Sequence, residues 1–315
     1  MTQRTYPQGV PCWIDTEQPD VGAAVEFYAG IFGWTFEDVM PAGAPGRYLI
    51  AKLDGQDVAG MASAQGAAAW STYISVEDAD ESVQRLVAAG AAVRSAPADA
   101  GEGGRSAGLT DPEGAEFRLW QARRRMGAQV ANQPGAWNFS DLHTANPGAA
   151  IKFYEDAFGW QVDDLGFAMM IRRPGYGDHL EATVDPGIRE RQSVLAAPPG
   201  FEDAIAWIAT TAPDEPPHWH VSFTVADRDQ AVRDAERLGA QVLSQDGHRV
   251  DAHCTDPGPP GSRVHRQPVH ASIGMSDSTD GGGGWQRHSP SVPAMGAASM
   301  RILSASYQLP CAATA

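Results

Sequence analysis

With 315 residues the chain is long enough for two domains of ordinary size, each with its own core. Its formal net charge of −16, with no basic stripe, argues against nucleic acid and anionic membrane as partners. No apolar run approaches membrane-spanning length and the N-terminus MTQRTYPQGVPCW has no apolar signal core, so a cytoplasmic protein is expected.

The first strand candidate is CWIDTE (Cys12–Glu17). Asp20 is then a suitable N-cap. Val21, Ala24, Val25, Tyr28, Ile31 and Phe32 recur at helical spacing, and Gly33 stands where a helix-ending glycine belongs. Trp70–Val93 reads strand, acidic cap, helix, glycine stop and strand, and Gly104–Gln121 reads two strands around a Pro-Glu-Gly turn. A joining segment follows. The pattern then restarts with WNFSDLHT (Trp137–Thr144), Asn146 as cap, Pro147 at the first helical position, and Ala150, Ile151, Tyr154 and Phe158 on one face. AVEFYAGIFGW (Ala24–Trp34) thus returns as AIKFYEDAFGW (Ala150–Trp160), 126 positions later. DHLEA (Asp178–Ala182) is assigned to a third strand, and FEDAIAWIA within the insertion Asp185–Pro217 to a short helix, in a lid or a packed surface loop. Trp219–Val242 repeats the second unit. Four strand–helix–strands units therefore pair as first with second and third with fourth. Each alone leaves a sheet face that it cannot bury.

The helix motifs FYAGIFGW and FYEDAFGW, the helix endings GAAV and GAQV, and TDPEGAEFRLWQ together resemble the vicinal oxygen chelate superfamily, which includes glyoxalase I, extradiol dioxygenases and bleomycin-resistance proteins. The likeness spans about residues 9–245. It is nearest to two-domain actinobacterial members, some of which accompany anthracycline-type antibiotic clusters. The implied fold class is α+β, with tandem paired βαβββ modules and two cup-shaped eight-stranded sheets. The domains are then 9–122, a linker 123–135, and 136–245 with the insertion 185–217.

In metal-dependent members the cup holds a divalent ion through four His, Gln or Glu side chains. The corresponding positions here fall on Trp13 and Phe139 in the opening strands, on Ser71 and His220 in the second modules, and on Arg118 in the closing strand of the first domain. The third strand offers no glutamate in Asp57–Met61 but has Glu181 in Asp178–Ala182. The first domain has none of the four ligands and the second at most two, Glu181 and His220. No metal or other cofactor is therefore expected, the alternative being one divalent ion. His218 and His220 alternate on a strand and point the same way, as a two-ligand start or a polar lining.

Strand alternation places Trp13, Asp15 and Glu17 toward the first cup with Ser71, Tyr73, Arg118 and Trp120. It places Phe139, Asp141 and His143 toward the second with His220. Such aromatic walls with a few charges suit a flat aromatic ligand, and His143 or His220 could serve as a general base. The competing reading makes Trp13 and Trp120 core and Asp15 a satisfied, paired carboxylate. Trp34 and Trp160 read as core in either case. No nucleophile elbow, phosphate loop or flavin fingerprint accompanies these residues, and Cys12, Cys254 and Cys311 form no disulfide framework or zinc pattern.

Three functions follow from these residues. The first is a metal-free binding protein that sequesters a small aromatic antibiotic or presents it to a partner oxidase. The second is a metal-dependent lyase, dioxygenase or hydroxylase. The third is a structural module with vestigial cups. Pairing of modules within one chain leaves monomer and dimer both open.

The second half does not close like the first. After Gln245 the sequence turns rich in Gly, Pro, His and Ser, loses strand alternation, and predicts a disordered tail over 246–315 and an incomplete second sheet. Codons can be chosen for Gly247–His270 that, read one base later, spell DTEWTRTALIRDPQGPGFTASQFT, whose DPQGPGF falls in register with DPEGAEF. That match points to a base lost or gained near codons 245–247.

Overall fold

The computed structural model describes residues 3–66, 68–166, 168–194, 197–211, 215–245, 249–254, 269–276 and 298–305. The first domain runs β1 (Pro11–Gln18), α1 (Val21–Phe32), β2 (Thr35–Asp38), β3 (Tyr48–Leu53), β4 (Gln56–Ser63), β5 (Ala69–Ser75), α2 (Ala79–Ala88), β6 (Ala92–Ala100), β7 (Gly104–Thr110) and β8 (Glu116–Ala122). Its eight strands form one sheet in the order β2-β3-β4-β1-β5-β8-β7-β6. The two modules meet at the antiparallel pair β1–β5, and each opening strand has a parallel neighbour from its own module, β4 beside β1 and β8 beside β5.

The second domain runs β9 (Trp137–Thr144), α3 (Pro147–Phe158), β10 (Gln161–Asp164), β11 (Met169–Arg172), α4 (Tyr176–Thr183), α5 (Ile188–Val194), a 3-10 turn (Phe201–Asp203), β12 (Ala204–Thr210), β13 (His218–Val225), α6 (Arg228–Arg237) and β14 (Ala240–Gln245). The helix caps are those the sequence dictates. Asp20 accepts the Ala23 amide at 2.9 Å and Asn146 the Ala149 amide at 3.3 Å, while Gly33 and Gly159 end α1 and α3 with φ of 70° and 67°.

Two expectations for the third module are corrected. DHLEA is not a strand: it lies in α4, where Glu181 pairs with Arg189 at the surface, away from any role as a metal ligand. FEDAIAWIA is not a helix: after the 3-10 turn it becomes β12, paired with β11 and parallel to β9 as β4 is to β1. The helical excursion therefore lies inside the third module, between β11 and β12. A short continuous apolar run fits a buried strand as well as a helix, and its tertiary neighbours decide.

Beyond Gln245 the backbone forms β15 (Arg249–Cys254), β16 (Val269–Ser276) and β17 (Ala298–Ala305). The second sheet then reads β10-β11-β12-β9-β13-β17-β16-β15-β14. The sequence pattern predicts no strands there. An uncovered edge at β13 presents a row of unpaired amides and carbonyls, which an extended segment can satisfy without side-chain alternation. The order differs from that of the first domain: β17 lies parallel to β16, whereas β8 runs antiparallel to β7. The rest of the expected tail lies outside the described residues.

The hydrophobic cores do not follow the domains. One joins the first module to the fourth, with Trp70 of β5 between them: Tyr28, Phe32, Trp34 and Trp70 pack with Phe223, whose ring stacks on Phe32 at 4.9 Å. The other joins the second to the third, with Trp219 of β13 beside them: Phe117 meets Tyr154 and Phe158, and Trp160 meets Trp219. The helix-ending tryptophans, 3% and 2% exposed, tie the exchange. The Trp34 indole donates to the Gly135 carbonyl just before β9 (2.7 Å), and Trp160 to the Gly9 carbonyl just before β1 (2.6 Å). Both glycines have φ near +80° (81° at Gly135 and 82° at Gly9), where a side chain would be strained, and an added Cβ would lie 3.1 Å from the Phe32 carbonyl at Gly135 and 3.2 Å from the Phe158 carbonyl at Gly9. No helix among the described residues is long and apolar enough to cross a membrane.

Candidate functional site

In the first cup the predicted residues bond to one another. The Trp13 indole donates to the Tyr48 hydroxyl (3.2 Å), which donates to Asp15 Oδ2 (3.1 Å). Tyr73 donates to the same oxygen at 2.6 Å and accepts from Arg118 at 3.0 Å. Arg118 also pairs with Glu17 and lies 5.5 Å over the Tyr73 ring. Ser71 stands opposite Asp15 across the β1–β5 pair, and the Trp120 ring meets Tyr73 edge-on at 6.2 Å while its indole donates to the Arg125 carbonyl.

Asp15 is fully buried. Burial pushes its carboxyl above the ordinary carboxylate range, against the pull of Arg118, Tyr73 and Tyr48. Burial and the neighbouring Asp15 carboxylate push both tyrosines well up. Burial disfavours the Arg118 charge, but Asp15, Tyr73 and Glu17 more than restore it and hold its pKa above the usual value. A guanidinium thus occupies the space between the two carboxylates of this cup, Asp15 and Glu17. These residues give a cation no ligand set here.

The second cup is built differently on the same frame. Phe139, Asp141 and His143 alternate on one face of β9 as expected. His218 faces His143 across the antiparallel β9–β13 pair and His220 faces Asp141. The imidazoles of His143 and His218 stack at 4.6 Å, and those of His143 and His220 at 5.1 Å. Glu215 Oε1 lies 3.7 Å from His218 Nε2 and 4.0 Å from His143 Nδ1. Asp141, His143 and His220 are 2%, 5% and 2% exposed. One ring nitrogen from each of the three histidines lies within 4.8 Å of the others, close enough for the three to hold a cation once the rings turn toward a common point.

Beside this polar end stands an aromatic wall of half-buried side chains. Phe139 meets Trp207 at 6.3 Å and Phe201 at 6.5 Å, and Phe201 meets Trp207 at 6.0 Å. The register Ile208–Leu142 and Ala209–His143 puts Trp207 next to Asp141 on the same face.

Of the predicted residues, the structure gathers Trp13, Asp15, Glu17, Ser71, Tyr73, Arg118 and Trp120 in one cup. It gathers Phe139, Asp141, His143 and His220 in the other, and it removes Glu181. Tyr48, Phe201, Trp207 and Glu215 join the two cups without having been expected from sequence. Tyr48 and Trp207 carried a signal, alternation within GRYLIAKL and AIAWIA. Glu215, in a proline-rich connection, carried none.

Paired βαβββ modules around two cups define a class, and the comparisons agree with it. A glyoxalase-like domain model matches residues 13–120 and 125–260, so the chain belongs to this family, within the vicinal oxygen chelate superfamily. The chain is 34% identical over 246 residues to the putative glyoxylase CFP32 of Mycobacterium bovis, a match covering 76% of this chain and 86% of that protein. It is 33% identical over 260 residues to the anthracycline biosynthesis protein DauV of Streptomyces sp. strain C5, with the same coverage. Among solved structures, the Mn(II)-bound glyoxalase of Novosphingobium aromaticivorans aligns with a TM-score of 0.50 at 17% identity, covering 82% of this chain and 80% of that one. An extradiol ring-cleaving dioxygenase from B. fuscum aligns at 0.53 and 12%, covering 87% and 73%. At these identities the two structures speak for the fold alone.

Proposed function

We propose that the chain is a cytoplasmic accessory or resistance protein of aromatic polyketide, anthracycline-type chemistry, and that its second cup holds a flat aromatic molecule. The observation that carries this reading is the wall of Phe139, Phe201 and Trp207, half-exposed and contiguous with the buried Asp141–His220 pair. Stacking on such rings is favourable, and the polar end can orient phenolic hydroxyls or an amine. The match to an anthracycline biosynthesis protein supports the ligand class. The first cup, filled by its own bonded side chains, serves as scaffold and works without metal. In this role the protein sequesters its ligand or hands it to a partner oxidase.

Titration of tryptophan fluorescence with anthracyclines and other polycyclic quinones tests the reading. Saturable quenching is expected, with Trp207→Ala weakening affinity about tenfold, the effect of losing one stacking contact plus its apolar area. Absence of saturable quenching overturns it.

A second reading, a metal-dependent enzyme of the family (lyase, dioxygenase or hydroxylase), is favoured by one specific observation: the convergence of His143, His218 and His220. If the cluster holds no ion, His143 or His220 is instead available to move a proton on a ligand lying against the aromatic wall.

A further inference from the structure

The segment before β1 straps the second domain. Thr5 Oγ1 lies 3.1 Å from His179 Nε2 in α4, Arg173 donates to the Gln8 carbonyl at 3.0 Å, and the Arg4 guanidinium donates to the Tyr176 hydroxyl at 3.4 Å. Between this strap, the start of β9 and the start of β12 lies a half-enclosed pocket of about 30 Å³. Every side chain lining it is neutral except Arg4. Among the described residues no carboxylate pairs with Arg4; its neighbours are the Tyr176 hydroxyl and the Tyr6 ring, 5.6 Å below the guanidinium carbon.

Two N–H donors of this pocket, Arg4 Nε and Trp137 Nε1, are buried without an acceptor among the described residues, and Trp137 is 4% exposed. The Tyr176 hydroxyl accepts from Arg4 and donates to none of them. A buried donor without an acceptor is costly, and a buried charge without a counter-charge more so. Water satisfies such N–H groups but leaves the charge; an anion answers both. The planar guanidinium matches a carboxylate, which takes two parallel N–H bonds from it. Val10, Ala204 and Ile205 make one side of the pocket apolar. That side tolerates a short alkyl group and leaves the outer oxygens of a tetrahedral oxyanion unsolvated.

We infer that Arg4, Trp137 and Tyr176 form a binding site for the carboxylate of a small organic acid, held between the N-terminal segment and the second domain. The donors come from the strap, the first residue of β9 and the first of α4, outside the polar ends of both cups. Phe139 alone is common to this pocket and the aromatic wall, and the inference does not rest on the aromatic reading.

The test uses the full chain with its native N-terminus, labelled with ¹⁵N at tryptophan. The Trp137 indole N–H resonance, assigned by its absence from Trp137→Phe, is followed during titration with sodium acetate, and with sodium chloride and phosphate at equal ionic strength. A saturable shift with acetate is expected. Arg4→Lys, which keeps the charge and loses the planar fork, should weaken it by about tenfold, and Arg4→Gln should abolish it. Arg94→Gln, which alters only an exposed pair with Glu116, should titrate as the wild type does. Far-UV circular dichroism verifies that each variant is folded, and the wild-type titration decides by itself where one is not. Absence of a saturable shift in the wild type, as for a pocket filled by water only, or an undiminished shift in Arg4→Gln, overturns the site. Equal affinity for chloride or phosphate overturns the carboxylate assignment. No quinone enters this titration, so its failure and that of the aromatic reading are distinguishable.

Discussion

Gly60 and Trp207 hold equivalent places in the two sheets: each lies beside the buried carboxylate of its opening strand, Asp15 for Gly60 and Asp141 for Trp207. In the first sheet the empty place admits the Tyr48 ring, whose hydroxyl reaches Asp15. In the second sheet the position matching Tyr48 is Ala168, and the ring comes from β12 instead. The same frame therefore makes a bonded plug in one half and an aromatic wall in the other.

A methyl group at Gly60 would clash with the Tyr48 hydroxyl and fall 2.9 Å from the Asp15 Cβ. Gly60→Ala is expected to destabilise the fold by about 1–3 kcal/mol through overpacking. Urea denaturation measures this. Adding Tyr48→Phe should recover part of the loss, since the nearest clash is with the hydroxyl; purely additive losses would mean that the crowding lies elsewhere.

Asp15 gives a pH signature. Its carboxyl titrates above the ordinary range because it is buried, so the folded state holds the proton more tightly than the unfolded state. Its contribution to stability is full below the ordinary carboxylate pKa and is lost as pH rises through the raised value. The stability difference between wild type and Asp15→Asn should therefore shift in favour of the wild type as pH falls through that window. Denaturation at a series of pH values reads it. A difference that moves the opposite way would show that the Arg118 charge outweighs burial.

Tyr154 couples the halves. Its hydroxyl donates to Asp111 Oδ2 in the first domain at 3.1 Å and accepts from Trp219 in the second at 3.0 Å. Asp111 also accepts the Glu113 and Ala115 amides through its other oxygen. Tyr154→Phe leaves a buried indole N–H and a carboxylate oxygen without this partner, and should cost about 1–3 kcal/mol. The urea midpoint should fall with an unchanged slope and a single transition. Two separate transitions would show that the halves unfold independently.

Resequencing codons 240–270 should reveal one base more or fewer than the written frame, near codons 245–247. The corrected product would close the second domain with DPQGPGF where the first has DPEGAEF. An intact frame, with no shifted product in the mass spectrum of the native protein, would dismiss this expectation.

Much of the fold could be read locally. Asp20, Asn146, Pro147, Gly33 and Gly159 are cap signals that act within one helical turn, and Trp34 and Trp160 sit in motifs too apolar to be exposed. The first cup was also legible, because i, i+2 alternation on β1, β5 and β8 fixes which side chains share a face. What local pattern does not contain is register. Whether His143 meets His218 or His220 depends on how β9 slides against β13, and nothing in either segment alone states it. The run AIAWIA failed for another reason: a short apolar stretch satisfies either period, and β9 and β11 select the strand. Once DHLEA is helical, Glu181 turns outward with it, and a ligand candidate drawn from presumed alignment disappears.

The indole bridges from Trp34 to Gly135 and from Trp160 to Gly9 mean that each half is finished by its neighbour. A fragment stopping after Ala122 would expose Phe32, Trp34 and Trp70 where Phe223 belongs, and would lose the covering of Phe117 as well. The duplicated halves are thus not separable units: each copy's core is completed by side chains of the other.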